Sequence, residues 1–90
     1  MNRTTDINRA FGAALRELRL QADMSQEEIA LQSGLSPTYV GQLERGLRSP
    51  SLGVILGLAA VLDVAAYELV RAAEIRVALR RSAASKDPLR

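Results

Sequence analysis

An all-α fold of five helices is what this 90-residue sequence predicts, and three observations predict it. Ser25, Ser36 and Ser51 each stand as an N-cap ahead of a stretch with apolar residues at helical spacing. No stretch alternates with the period of two that marks a half-buried strand. The composition suits a helical interior: 48% of the residues are apolar, yet only Phe11, Tyr39 and Tyr67 are aromatic, so Leu, Ala, Val and Ile must fill the core.

The first helix is expected from about Asp6 to Ala22, where Phe11, Ala14, Leu15, Leu18 and Ala22 share one face. The second starts at Ser25. Ser25 and Glu28 form a Ser-x-x-Glu capping box, and Met24 and Ile29 fall at the two positions of a hydrophobic staple. The third repeats the design, with Ser36 as N-cap, Pro37 at the first helical position and Leu35 and Val40 as the staple. Gly34 supplies the positive φ of the turn between them, and Gly46 the left-handed stop after the third helix. Ile29 and Leu43 are apolar knobs, and Ala30 lets the pair approach closely. Two helix starts eleven residues apart leave room for one short turn. That spacing is a helix-turn-helix, which lays its second helix in a DNA major groove.

The fourth helix is expected to run from Ser51 as N-cap to about Leu62, with Asp63 in the left-handed stop that Gly often fills. The fifth begins near Ala65 without a capping side chain and carries Ala66, Leu69, Val70, Ala73 and Val77 as a core stripe. After Arg81, the segment SAASKDPLR is small, polar and interrupted by Pro88, and reads as a frayed tail. The expected organisation is an N-terminal arm at 1–6, one DNA-binding domain with its C-terminal helix at 7–81, and a flexible basic tail at 82–90.

Composition narrows the chemistry. Without Cys there is no disulfide, and without Cys or His a zinc site lacks its usual ligands. No cofactor and no small-molecule ligand is indicated. The usual nucleophile–base pairs and a glycine-rich phosphate loop are missing too, so the chain does not read as an enzyme. The N-terminal MNRTTDINRAF lacks the apolar run of a secretion signal. The apolar run Leu52 to Leu62 is too short to span a bilayer. A cytoplasmic location is the expectation. The net charge of +2 is unevenly placed: Ile7 to Val70 sums to −2 and Arg71 to Arg90 to +4. A negative core argues against strong nonspecific DNA binding and leaves recognition to local arrangement.

The stretch SQEEIALQSGLSPTYVGQLERGLRSPSL resembles the central segment of the phage-repressor/Cro type of helix-turn-helix, the XRE family, and the likeness runs from about Phe11 to Val70. The resemblance implies a lambda-repressor-like domain and a sequence-specific regulator of transcription, most simply a repressor acting by occupancy on double-stranded DNA. It places Pro37, Thr38 and Gln42 at base-contacting positions. Gln42 can pair with adenine, Thr38 offers a hydroxyl and a methyl, and Pro37 contributes shape. It makes Gln26 a backbone-clamping residue at a helix N-terminus, and it matches Arg19 and Glu44 to an ion pair that fixes the recognition helix to the first helix. By reach, Arg45, Arg48, Tyr39 and Ser36 are further phosphate contacts, against the plainer reading of solvated surface. Arg9 is a weaker candidate of the same kind. A reading face so poor in charge implies modest direct readout helped by DNA shape.

LGVILGLAAVL has no polar side chain at any angle, whereas a surface helix of a small monomer should keep a wet face. Gly53 and Gly57 form a small-residue strip on it, and Ala72, Ile75 and Leu79 lie around the fifth helix from its core stripe. These residues are the expected interface of a homodimer that matches an inverted-repeat operator. The competing reading is an antitoxin or other protein-interaction module, binding a partner protein through helices four and five or the tail. Arg80, Arg81, Lys86 and Arg90 read as a solvated basic end.

Overall fold

The computed structural model describes residues 3–85, which form five helices and no strand: α1 (Arg3–Gln21), α2 (Gln26–Ser33), α3 (Pro37–Glu44), α4 (Leu52–Leu62) and α5 (Ala66–Ser85). Three of them start as their sequence dictates. The hydroxyls of Ser25, Ser36 and Ser51 accept hydrogen bonds from the backbone N–H groups of Glu28, Tyr39 and Val54. Each satisfies a donor that a helix start leaves without an intrahelical partner. At α2 the capping box is reciprocal, because the Ser25 N–H donates to the Glu28 carboxylate at 2.9 Å. That bond, and then the Ser25 hydroxyl, hold the Glu28 carboxyl below its ordinary pKa. The stops follow the same logic, with Gly34, Gly46 and Asp63 all at positive φ. Asp23 joins them at φ 60, a left-handed residue between α1 and α2 that sequence reasoning had not singled out.

Every helix contributes to one core. Leu15, Ile29, Val40, Leu43, Leu58 and Leu69 are fully buried, and each such aliphatic side chain stabilises the fold by about 2 kcal/mol relative to exposure. Phe11 and Leu62 are also buried, while Ala10, Ala14, Ala30 and Ala73 fill the narrow crossings between helices. Met24 and Leu35, the outer halves of the two staples, are half-buried against this core.

Several boundaries and faces differ from the sequence reading. α1 begins at Arg3 instead of Asp6, so the described part of the proposed arm is helix. Asp6 lies in the first turn, where a carboxylate suits the helix dipole, and it pairs with Arg80 of α5. α1 stops at Gln21, which leaves Ala22 exposed in the turn rather than on the buried face. α5 continues four residues past Arg81 to Ser85, because Ser82, Ala83 and Ala84 tolerate a helix and the proline lies further on. The rest of the proposed tail, 86–90, lies outside the described residues. On α5 the buried stripe is Leu69 and Ala73, with Val77 half-buried below them. Val70, one residue from Leu69 and so turned about 100° from it, is 39% exposed instead of in the core. Ala72 packs partly against the core instead of standing clear of it.

Candidate nucleic-acid interface

α3 presents one face because its other face is committed. Val40 and Leu43 have no exposure, which turns Ser36, Pro37, Thr38 and Arg45 to the outside. Gly41 and Gln42 are half-buried at the edges of that face. Tyr39, a phosphate-contact candidate from the sequence, does not stand out with them. Its ring instead packs partly against the core and carries the Arg48 guanidinium 5.7 Å from its centroid. That distance suits a cation–π contact, which orders Arg48 just beyond the helix end. Arg45 is held closer in, with its Nε donating to the Gly41 carbonyl at 3.3 Å.

The start of α2 borders the same face. Gln26 of α2 joins Pro37, Thr38, Gly41 and Arg45 of α3 around one shallow cleft. Gln42 is not part of that cleft, so the residues placed at base-contacting positions divide between its lining and an adjacent edge. At this cleft the first-turn N–H groups of α2 and the positive end of its dipole meet the exposed side of α3, an arrangement suited to a phosphate.

Behind it lies a charged network. Arg19 Nε donates to Glu44 Oε2 at 2.6 Å and Arg19 Nη2 to Glu44 Oε1 at 2.9 Å, while Nη1 donates to the Met24 carbonyl at 2.9 Å. The two side chains are 8% and 3% exposed. Hydrogen bonding to Glu44 raises the Arg19 pKa, burial opposes it, and the Glu44 charge adds to the rise. The two-pronged geometry is the strong form of this pair. The sequence did not reveal a third member. Gln26 Nε2 donates to Glu44 Oε1 at 2.9 Å, so the expected phosphate clamp is held by the carboxylate that holds α3. An amide carries two N–H bonds, and the second is left for an acceptor outside. Among the described residues no buried side-chain polar atom lacks a partner.

Gly12 also escaped the sequence reading. A Cβ there would lie 2.3 Å from the Leu43 carbonyl oxygen and 2.6 Å from that of Glu44. α1 therefore touches the last turn of α3 backbone to backbone. The signal was present: a glycine inside a helix costs about 1 kcal/mol relative to alanine, and usually has a packing reason. Gly46 repeats the device, since a Cβ there would sit 2.9 Å from Arg9 Cα.

On the far side, Gly53 and Gly57 line a surface with little beside it. The Gly53 position meets only the Ser51 hydroxyl at 3.9 Å, and nothing lies within 4 Å of Gly57. Leu52 and Leu56 are 69% and 52% exposed, and on α5 Ile75 and Leu79 are 47% and 65% exposed. Among the described residues no single helix is long and apolar enough to cross a membrane.

Comparison with known proteins gives a consistent picture. The helix-turn-helix family model matches residues 15–69. Control protein C.BamHI of Bacillus amyloliquefaciens is 37% identical over 68 residues, which are 74% of this chain and 84% of that protein. The crystal structure of the clp gene regulator ClgR from Corynebacterium glutamicum superposes with a TM-score of 0.81 at 29% identity, covering 84% of this chain and 81% of that one. The restriction-modification controller protein C.AhdI from Aeromonas hydrophila gives a TM-score of 0.68 at 50% identity over 69% of this chain and 94% of its own.

Proposed function

Because the chain belongs to the helix-turn-helix family of DNA-binding transcriptional regulators, we propose that it reads a specific operator with α3, as a homodimer on an inverted repeat. The observation that carries this reading is the exposed start of α3 beside the N-terminus of α2, with the end of α3 anchored by Arg19 and Glu44. Pro37, Thr38 and Gln42 face the base edges. Gln26, Ser36, Tyr39, Arg45 and Arg48 serve the phosphates on either side, Tyr39 mainly by seating Arg48. Holding α3 rigidly matters because a bidentate glutamine–adenine contact is geometric and worth about 1–3 kcal/mol of discrimination.

The second copy is inferred from exposed apolar area. Leu52, Leu56, Ile75 and Leu79 stand out around Gly53 and Gly57, and a two-fold axis that buries them would pair two recognition helices. Ala72 contributes from the edge of that surface. Regulation is by occupancy: a dimer bound across a promoter excludes polymerase. No catalytic step belongs to this reading, and its place of action is the cytoplasm, with the DNA it reads.

Selection of bound duplexes from a random pool tests it. The expected product is an inverted repeat with half-sites about one helical turn apart, roughly 10 base pairs centre to centre. A pool that yields no sequence preference, even at low salt, would remove α3 as a reading helix.

A further inference from the structure

Two segments 74 residues apart in sequence meet at a basic cleft, where Arg80 Nη1 donates to Asp6 Oδ1 at 3.1 Å. The first turns of α1 and the distal half of α5 line an open cleft of about 640 Å³ there, with Ile7 and Val77 as its apolar residues and Arg3, Arg9, Arg80 and Arg81 as its basic ones. Four guanidiniums face one carboxylate, a local net charge of +3, and all four arginines are exposed. The segment from Ile7 to Val70, which contains the reading helix and already counts Arg9 of the cleft, carries −2. The concentrated positive charge of the molecule is therefore at this end.

The position of the cleft gives the charge a meaning. Arg9 lies against Gly46, immediately after α3, and Ser49 donates to Asn8 at 2.8 Å. Arg45 and Arg48 flank the same turn. A band of arginines thus runs from the end of α3 across Arg9 into the cleft. We infer that the α1–α5 cleft is a second backbone-binding surface, taking phosphates of duplex DNA that α2, α3 and the α3–α4 turn do not reach. This rests on the DNA-reading proposal above. Guanidiniums match phosphate oxygens in a two-pronged geometry, and a concave positive surface concentrates its field on a polyanion. A passing strand fits better than a small anion. The arginines are spread along two helices and open to solvent, and Asp6 sits among them, where it would repel a compact multivalent ion. The contacts add affinity for any sequence and leave the choice of bases to α3.

The test uses the selected operator in a duplex long enough to leave flanking turns on both sides. Salt titration and phosphate-ethylation interference are compared for the wild-type chain and the double variant R3A/R81A, both checked for helix content. Each phosphate contact contributes about 0.9 to the slope of log affinity against log salt. Losing two lowers the slope by about 2, so the loss between 50 and 200 mM salt shrinks roughly tenfold. Interference should vanish at phosphates distinct from those lost in R48A, with the selected bases unchanged. D6N, which leaves the cleft more positive, should shift the slope the other way. An unchanged slope and interference pattern in R3A/R81A would overturn the inference. It would also fall if millimolar pyrophosphate raised the melting temperature of the wild type alone while the DNA slopes agreed, assigning the cleft to a small anion. Absence of operator binding by the wild type would instead sink the DNA reading itself.

Discussion

Gly12→Ala should destabilise this protein, although alanine is the better helix former. The added Cβ would sit 2.3 Å from the Leu43 carbonyl oxygen and 2.6 Å from the Glu44 oxygen, with the Glu44 carbonyl carbon at 2.8 Å. All three are backbone atoms in the last turn of α3, so no rotamer change relieves them. α3 must retreat by about 1 Å to restore ordinary contact, which loosens Val40 and Leu43 in the core and lengthens the Arg19–Glu44 bonds. Overpacking of this kind costs about 1–3 kcal/mol. The helix preference of alanine over glycine returns about 1 kcal/mol, which leaves a net loss of about 1 kcal/mol at the middle of that range and about 2 at its upper end. For a domain of this size each kcal/mol lowers Tm by about 4–8 °C. Gly57→Ala is the internal control, because nothing lies within 4 Å of its Cβ position. It should raise the stability of the dilute monomer by about 1 kcal/mol, or 4–8 °C. Thermal unfolding followed by circular dichroism measures both. A G12A variant as stable as wild type would refute the close crossing of α1 and α3, since propensity alone predicts a gain.

Other predictions follow from the same geometry. Arg19→Ala strands the buried Glu44 carboxylate and should cost about 3 kcal/mol, measured by urea unfolding, with weaker operator binding; unchanged stability would remove its anchoring role. Gln42→Ala should relax base preference at one position per half-site, whereas Arg48→Ala should weaken all sequences nearly equally, both read by repeated selection and salt titration. The depressed pKa of Glu28 means its stabilisation is fully present above its ordinary value near 4.5 and fades as pH falls through the folded value. Wild type should therefore exceed E28Q in stability at pH 7 by more than at pH 3, and equal gaps at both would contradict the capping role. Light scattering at micromolar concentration should give the mass of two subunits, and I75D/L79D the mass of one.

How much could be read beforehand depends on whether a feature is local in sequence. The caps at Ser25, Ser36 and Ser51 and the left-handed stops at Gly34, Gly46 and Asp63 are decided within four residues, and each matches its motif. The pairing of Arg19 with Glu44 is 25 residues long-range, and only the family resemblance suggested it. Gln26 joining that pair depends on the angle between α2 and α3, which no short motif encodes. That Val40 and Leu43 take the core face does not fix Tyr39 on the outer one: an aromatic ring at a helix edge can lie back on the core, and this one does.

The ends of the chain show the same limit from the other side. Read alone, RTTD is an indifferent helix start and RRSAAS an indifferent helix end. Each gains from the other, because α1 and α5 pack together and Asp6 meets Arg80 while Glu17 meets Arg76. An exposed pair of this sort contributes at most about 1 kcal/mol, so the ion pairs select the register more than they hold the helices. The apolar contact that holds them runs through Leu69, Ala73 and Val77. Once that packing is made, arginines from both ends of the sequence converge beside the turn that follows α3. Counted residue by residue, Arg80 and Arg81 look like solvated charge; with α5 packed along α1 they stand beside Arg3 and Arg9 in one cleft.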